Sequence, residues 1–307
     1  FDYKGEFSDI QNNHWLSLFD VDRSCILDPL TQPLPFTPFK DFTGRSINEI
    51  NLYSTEMSSA LCSIDRVSAS ANMNNRLSEA IVEAYKSTNG APISFELMLK
   101  CYQSRMKDAN NDDSISSVLK QLVNAHIFES EDKVSLIDDS YIIKMDGYPK
   151  DGPIAKAIVY FLMSKLNNIY ELLDKQAVND EVVQIRHFSI IDEAHYMLDF
   201  DNRPLRNLIA VGRNKGLSII LATQNMSSFK SKGFDFYANA QYPLIMKQQT
   251  IDDKVIKDLF GVSGQELQEI RTAIAGLQKG ELIIKDQMAF ALGMGNKYKK
   301  INVTHLI

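Results

Sequence analysis

The sequence predicts an α/β fold with a mostly parallel sheet flanked by helices. Two short apolar runs, residues 188–191 and residues 217–223, predict strands. Between them, apolar residues recur at roughly helical spacing in a segment bounded by Pro204 and Gly216. Strand, helix and strand in this order form the unit of a parallel sheet, in which we expect the apolar strands to be covered on both faces.

Polar residues follow both strands, at the edge where such sheets bind ligands. The first strand ends on Asp192 and Glu193, and the second ends on Thr223 and Gln224. A carboxylate at this position can hold a Mg²⁺ that bridges nucleotide phosphates, as in the Walker B element, and Asp192 suits that role. Glu193 would polarise the attacking water, Gln224 would sense the γ-phosphate, and Thr223 would line the nucleotide. The alternative is an acidic turn in which Asp192 only caps a helix.

The chain before this unit is predicted to contain an α/β part, residues 1–53, and a helical part, residues 54–140. Residues 1–3 predict the end of a strand and residues 24–28 a second strand. The segment that follows, residues 29–39, contains four prolines, which exclude a helix and favour an extended connection.

Residues 54–140 predict a helical insertion into the α/β core. A winged helix that reads DNA is the alternative for its last helix and residues 126–137, although basic residues are few there. Three helices are marked by Leu77, Ile81, Val82 and Tyr85, by Phe95, Leu97, Met98, Leu99 and Tyr102, and by Ile115, Val118, Leu119 and Leu122.

Residues 141–307 predict the remainder of the α/β core. Ser263 is expected to cap a helix, with Glu266 completing a capping box. Residues 277–286 predict a hairpin that turns at Lys279 and Gly280. The other predicted elements are a strand within 140–149, a long helix at about 153–175, a strand at 242–247 and a helix at 251–260.

Composition and charge narrow the class of protein. The 307 residues are 44% hydrophobic, which is enough for one large core or two moderate ones. A net charge of −6 gives no overall basic field for nucleic acid, although lysines could still concentrate on one face. The three scattered cysteines fit a reducing cytosol and argue against a disulfide scaffold or a zinc site. No apolar run is long enough to predict a membrane span.

Two segments, IIDEAHYML and VGRNKGLSIILATQN, resemble the second half of the HerA/FtsK/VirB4 branch of RecA-like motor ATPases. FDYKGEF, at residues 1–7, is similar to the second core strand of that family. The resemblance covers most of the chain outside about 54–140 and is greatest to the DptH-type ATPase of DNA phosphorothioation-dependent restriction. It implies a RecA-like P-loop NTPase core that binds ATP and Mg²⁺. It also implies a cytoplasmic, DNA-associated motor that self-associates as a hexameric ring and works with a nuclease or other anti-phage defence proteins.

One departure from this family is the P-loop. The family requires G-x-x-x-x-G-K followed by Ser or Thr, whose backbone N–H groups and lysine hold the phosphates. The sequence contains neither Gly-Lys-Ser nor Gly-Lys-Thr. Because FDYKGEF would follow the P-loop helix and Phe1 is not a start methionine, we expect a fragment of a longer ATPase that is inactive alone. The alternative is a degenerate ATPase domain that serves for oligomerisation or docking.

Two residues near the predicted edge have competing interpretations. His195 completes Asp-Glu-Ala-His, as in superfamily-2 helicases, but the arginine-rich segment of that class does not follow. Arg213, in Gly-Arg-Asn-Lys-Gly, is expected at the active edge of the sheet. There the resemblance implies an arginine that stabilises charge on a neighbouring subunit's nucleotide. The alternative is that Arg213 caps the carboxyl end of a helix. Arg206 and Lys215 are further candidates for the same role.

Overall fold

The computed structural model describes residues 1–9, 25–64, 69–106, 112–179, 182–231, 234–240, 242–286, 291 and 297–303. The chain divides into two compact units, Phe1–Leu221 and Ala222–Ile307. None of the described helices combines the length and the apolar character that a membrane span requires.

The first unit combines short strands with longer helices. Its helices are α1 (Ile47–Ile64), α2 (Ala71–Ser87), α3 (Phe95–Ser104), α4 (Ser114–Ala125), α5 (Pro153–Leu172) and α6 (Arg203–Val211). Its strands are β1 (Ile26–Leu27), β2 (Ile142–Ile143), β3 (Val178–Asn179), β4 (Val182–Val183), β5 (His187–Ile191) and β6 (Leu217–Leu221). Short 3-10 helices follow β5 at Ala194–Met197 and precede β6 at Gly212–Lys215.

The helices predicted within residues 54–140 are present as α2, α3 and α4, and α1 begins before them at Ile47. Ser70, Ser94 and Asp113 cap the three amino ends, because each side chain accepts a hydrogen bond from a backbone N–H of the first turn. Successive helices pack on one another, and α1 and α4 also contact α5. Residues 126–137 form no β-hairpin. Phe128 instead makes a single bridge to Leu34, so the winged-helix alternative finds no support.

The strands of the first unit join in a parallel arrangement that includes the first residues of the chain. β5 pairs in parallel with β6, and β1 pairs in parallel with β2. Asp2 bridges Lys144 in parallel, while the Phe1 carbonyl accepts a hydrogen bond of 3.3 Å from the Asp192 N–H. The spatial order is therefore β6, β5, residues 1–3, β2 and β1. This confirms the predicted strand–helix–strand unit, and the strand end predicted at residues 1–3 is present as an isolated bridge at Asp2. Ser24, in the second predicted strand, lies outside the described residues.

The two faces of β5 differ in burial. Ser189 and Ile191 are buried, whereas Phe188 and Ile190 are 56% and 51% exposed. Successive side chains of a strand point to opposite faces, and α6 packs against β6 on one side. The expectation that both faces are covered is therefore wrong for the described residues.

The second unit is built on an antiparallel sheet. Its strands are β7 (Lys230–Ser231), β8 (Phe234–Asp235), β9 (Leu244–Met246), β10 (Glu281–Lys285) and β11 (Tyr298–Asn302). Its helices are α7 (Phe236–Asn239), α8 (Asp253–Phe260) and α9 (Gly264–Ala275). β10 lies between β9 and β11, and a cluster of apolar side chains from α8, α9 and these strands forms the core.

Two expectations for the second unit are wrong. Residues 277–286 do not form a hairpin, because β10 starts after the turn and pairs with β9 and β11 instead. Ser263 occupies the N-cap of α9, but its side chain makes no cap hydrogen bond. The Glu266 carboxylate lies 3.3 Å from the Lys297 ammonium, so it is drawn away from the predicted capping box.

Candidate functional site

The acidic pair lies where predicted, directly after β5 at the carboxyl end of the parallel strands. The side chain of Asp192 is 19% exposed and that of Glu193 is 4% exposed. Glu193 has φ 48° and ψ 42°, the left-handed region that side chains other than glycine rarely adopt. Such strained backbone persists where the surrounding structure enforces it, and it is concentrated at functional sites. The turn at Glu193 thus directs one carboxylate inward beside another that meets solvent.

Glu193 is held by two neighbouring side chains. The Lys4 ammonium lies 2.6 Å from Oε1 of Glu193 and 3.9 Å from Oδ2 of Asp192. Nδ1 of His195 lies 3.3 Å from Oε2 of Glu193, and the His195 ring packs against the Tyr196 ring. The hydrogen bond to Glu193 is the main reason why the pKa of Lys4 is raised above its ordinary value. Both oxygens of Glu193 therefore have a fixed neighbour, and His195 packs beside the acidic pair.

Lys4 lies in the turn expected after residues 1–3, and sequence reasoning missed that Asp2 holds this turn. The buried Asp2 carboxylate accepts hydrogen bonds from the backbone N–H groups of Gly5, Phe7 and Ser8, at 2.9, 3.0 and 2.8 Å. It also accepts a bond of 2.9 Å from the Ser8 hydroxyl. These bonds fold the segment after residues 1–3 over the end of the strand. An aspartate two residues before Lys-Gly-Glu is the sequence signal that could have indicated these hydrogen bonds.

A second charged group lies at the same edge, on the neighbouring strand. The Lys144 ammonium lies 3.4 Å from Oδ2 of Asp28 and 3.9 Å from Oδ1 of Asp146. A side chain at Gly5 would meet Asp146, because an added Cβ would lie 2.7 Å from its Oδ2. The turn that carries Lys4 therefore approaches Asp146 closely, and glycine at residue 5 makes this approach possible.

Arg213 lies at the opposite edge of the sheet from Glu193. In the parallel register, His187 faces Leu217 at the start of the strands and Ile191 faces Leu221 at their end. Arg213 precedes β6 and is exposed, so it lies at the amino ends. Five residues of strand separate the edges by about 16 Å. The structure thus corrects the expected position of Arg213, because its side chain cannot span that distance to the Glu193 of its own chain.

Lys215 and Arg206, the further candidates for the role of Arg213, both make contacts with nearby residues. The Lys215 ammonium donates to the backbone carbonyls of Tyr170 and Glu171, at 2.5 and 3.0 Å, near the carboxyl end of α5. The Arg206 guanidinium lies 3.2 Å from Oδ1 of Asp201. Lys215 is therefore a cation at the carboxyl end of a helix, where positive charge is favourable. Arg206 is held in an ion pair with Asp201.

Thr223 and Gln224 follow β6 in the chain and belong to the second compact unit. The Thr223 hydroxyl accepts a weak hydrogen bond of 3.4 Å from the Asn225 N–H. That these two residues meet the nucleotide stays a prediction.

The acidic pair offers the donors that Mg²⁺ uses. Mg²⁺ is usually held by one or two carboxylates together with substrate phosphates and water, so Asp192 at a solvent-facing strand end fits this pattern. In the part of the chain that the structure describes, no cluster of three His, Cys, Asp or Glu side chains could hold a metal ion by itself. A metal at this edge would therefore depend on the phosphates as well as on Asp192.

Neither a known protein family nor a curated protein matches the sequence. Among solved structures, VirB4 of Thermoanaerobacter pseudethanolicus matches with a TM-score of 0.64 at 15% identity, over 97% of this chain and 80% of VirB4. The plasmid coupling protein TrwB in complex with the ATP analogue ADPNP matches with a TM-score of 0.54 at 14% identity, over 91% and 73% of the two chains.

The bacterial conjugative coupling protein TrwBΔN70 in complex with sulphate matches with a TM-score of 0.56 at 14% identity, over 95% and 77% of the two chains. At such low identity these likenesses establish the fold alone. The chain has the α/β fold of the RecA-like P-loop ATPases, as the sequence predicts.

Proposed function

We propose that this chain forms the Walker B half of an NTP-hydrolysing motor of the HerA/FtsK/VirB4 type. The observation that carries the proposal is the acidic pair after β5, in which solvent-facing Asp192 stands beside buried, ion-paired Glu193. The fold is shared with TrwB, whose structure contains an ATP analogue. ATP is accordingly the nucleotide that we propose for this chain.

The two carboxylates have different surroundings, which suit two different tasks. Asp192 would hold Mg²⁺, which when bound neutralises charge on the β- and γ-phosphates. Glu193 is held by Lys4 and His195 and would accept the proton of the attacking water as general base. Thr223 and Gln224 would contact the nucleotide from the end of the adjacent strand. Arg213 would act on the nucleotide of a neighbouring subunit, since its own Glu193 lies at the other edge.

The remaining requirement is a phosphate-binding loop. The 307 residues contain no G-x-x-x-x-G-K-[ST] segment, and the backbone N–H groups and lysine of that loop supply most contacts to the phosphates. We therefore expect the 307 residues alone to bind nucleotide weakly and to turn it over negligibly. Activity is to be measured in a full-length protein that carries a phosphate-binding loop together with these 307 residues.

The polymer that the motor moves is a finer part of the proposal. DNA is favoured because TrwB is a plasmid coupling protein and because the segments around Glu193 resemble DNA-associated ATPases. A hexameric ring and a role in phosphorothioation-dependent restriction, with a nuclease partner, rest on the sequence resemblance to the DptH type alone. A docking domain without catalysis is the second candidate, because the sequence lacks the P-loop motif.

Substituting each carboxylate separately tests the assigned roles. In the full-length protein, Asp192→Asn should weaken Mg²⁺-dependent nucleotide binding, because it removes the charge directed at the metal. Glu193→Gln should leave binding largely intact and lower turnover about a hundredfold or more, the scale of general-base loss. Binding by titration and steady-state turnover are the measurements. Equal effects of both variants on both quantities would contradict the roles, and absence of turnover in the unsubstituted protein would favour the docking domain.

A further inference from the structure

Lys4 stands out among the cations of the first unit because it contacts both members of the acidic pair. Its ammonium lies 2.6 Å from Oε1 of Glu193, while the Glu193 side chain is 4% exposed. A buried carboxylate that loses the cation beside it is drawn towards solvent. A general base displaced in this way no longer faces the reacting water.

The position of Lys4 is itself enforced. The Asp2 carboxylate gathers the backbone N–H groups of Gly5, Phe7 and Ser8, so the turn that carries Lys4 has a fixed path. Asp2 is held in turn by one neighbouring segment, because its N–H donates to the Ile143 carbonyl and its carbonyl accepts from the Met145 N–H. The ammonium thus reaches Glu193 from a rigid support.

The contacts of Lys4 differ from those of an ordinary surface ion pair. Exposed pairs are screened by water and contribute little. Here one partner is almost fully buried, and its backbone adopts the left-handed conformation, φ 48°. The turn at Glu193 sets the direction of the carboxylate, and Lys4 sets which oxygen is held.

We propose that Lys4 is a positioning residue for hydrolysis, which holds the Glu193 carboxylate oriented towards the reacting water. The inference rests on the proposed function, since it assigns Lys4 to the same reaction. Lys4 itself need not touch the nucleotide. Its effect is expected on the rate of the chemical step and not on nucleotide affinity.

The test compares lysine variants in the full-length protein. Lys4→Met should lower kcat by about tenfold to a hundredfold, because a displaced catalytic group costs rates of this order, and KM should change less than about twofold. Lys4→Arg, which keeps the charge, should recover much of kcat. Lys4→Gln, which keeps a hydrogen-bond donor without the charge, should not. Thermal unfolding checks that each variant is folded, and the arginine–glutamine comparison remains decisive if Lys4→Met is not.

The matched control is Lys144→Met. Lys144 is another lysine at this edge and pairs with two aspartates, Asp28 and Asp146. Lys144→Met should therefore leave kcat near the value of the unsubstituted protein. Equal losses for both lysines would overturn the inference, because they would show a general charge effect. A rise of kcat in Lys4→Met would also overturn it, because the ion pair would then restrain Glu193. If Glu193→Gln is inactive while Lys4→Met is fully active, only the role of Lys4 fails; if Glu193→Gln is fully active, the proposed function fails as well.

Discussion

The two ends of the β5–β6 pair are held by different kinds of interaction. At the amino end, the Gly216 carbonyl accepts hydrogen bonds from the backbone N–H groups of Arg186 and His187, at 2.7 and 3.3 Å. Gly216 itself has φ +82°, which places the turn directly against the preceding strand. At the carboxyl end, the contacts are between charged side chains, and the strained residue is Glu193.

Within this one strand pair, the amino end holds the two strands together and the carboxyl end carries the side chains proposed for catalysis. Backbone hydrogen bonds and a glycine fix the register at the amino end. The carboxyl end can then carry carboxylates whose geometry depends on a few side chains, because ladder hydrogen bonds pair the strands beneath them. A catalytic arrangement is most accurate when rigid elements carry it, and β5 and β6 are such elements.

The largest effect is expected from Arg213→Ala, because a role for Arg213 in hydrolysis would make the amino end part of the catalytic machinery. Should Arg213 reach the nucleotide of a neighbouring subunit, Arg213→Ala in the full-length protein would lower turnover about a thousandfold, with nucleotide affinity and fold near those of the unsubstituted protein. Arg213 is exposed and lies about 16 Å from its own Glu193 along the strand, so only action between subunits is open to it.

Mixing two inactive proteins measures this directly. Arg213→Ala subunits combined with Glu193→Gln subunits create some interfaces that pair an intact Glu193 site with an intact Arg213 donor. Part of the turnover should then return, with a dependence on the mixing ratio. No recovery at any ratio would place Arg213 outside catalysis. Unfolding of Arg213→Ala would instead indicate the helix-capping role.

A smaller effect is expected from Gly216→Ala, which tests the structural role of the amino end. Gly216→Ala would place a Cβ 2.6 Å from the Gln184 carbonyl oxygen in addition to forcing alanine into a left-handed conformation. The left-handed conformation alone costs about 1 to 2 kcal/mol, so the loss in unfolding free energy should exceed that range. Gly44→Ala is the matched control, because Gly44 has φ +74° and its Cβ would meet nothing within 4 Å. Denaturant unfolding of both variants gives the comparison, and equal losses would contradict a close approach at Gly216.

Much of the fold could be predicted because it depends on local patterns. The apolar runs of β5 and β6, the helical spacing between them and the stripes of α2 to α4 are all periodic, and period determines element type. The hairpin expected at 277–286 failed because strand partners are chosen by packing over long distances, and β10 found β9 and β11. The exposure of Phe188 and Ile190 could not be predicted for the same reason, because the local sequence does not show whether another element packs on that face of β5.

The site was predicted less completely than the fold. Asp192 and Glu193 were identifiable because acidic residues directly after an apolar strand are a local signal. The contact between Lys4 and Glu193 joins residues 189 positions apart, and it depends on the turn around Asp2. The position of Arg213 was misjudged because a residue that precedes a parallel strand lies at its amino end, a consequence of topology that the local pattern Gly-Arg-Asn-Lys-Gly does not show.

The smallest expected effect concerns His187, the first residue of β5. Burial lowers the pKa of His187 below its ordinary value near 6.5, so the unfolded chain binds this proton more readily than the folded chain does. The resulting contribution to stability is complete above about pH 6.5 and is lost as the pH falls towards the pKa of the folded state. His187→Gln removes this titration. Its free energy of unfolding should therefore fall less between pH 7 and pH 5 than that of the unsubstituted chain, as measured by denaturant unfolding across that interval.

His126→Asn is the control for this measurement. His126 is exposed at the carboxyl end of α4 with φ 44°, a conformation that asparagine tolerates well. This variant removes one imidazole from an exposed position outside β5. If His187→Gln and His126→Asn changed the pH dependence equally, burial at the amino end of β5 would not be its cause. A change confined to His187→Gln would show that the amino end of β5 loses stability when the partly buried His187 ring is protonated.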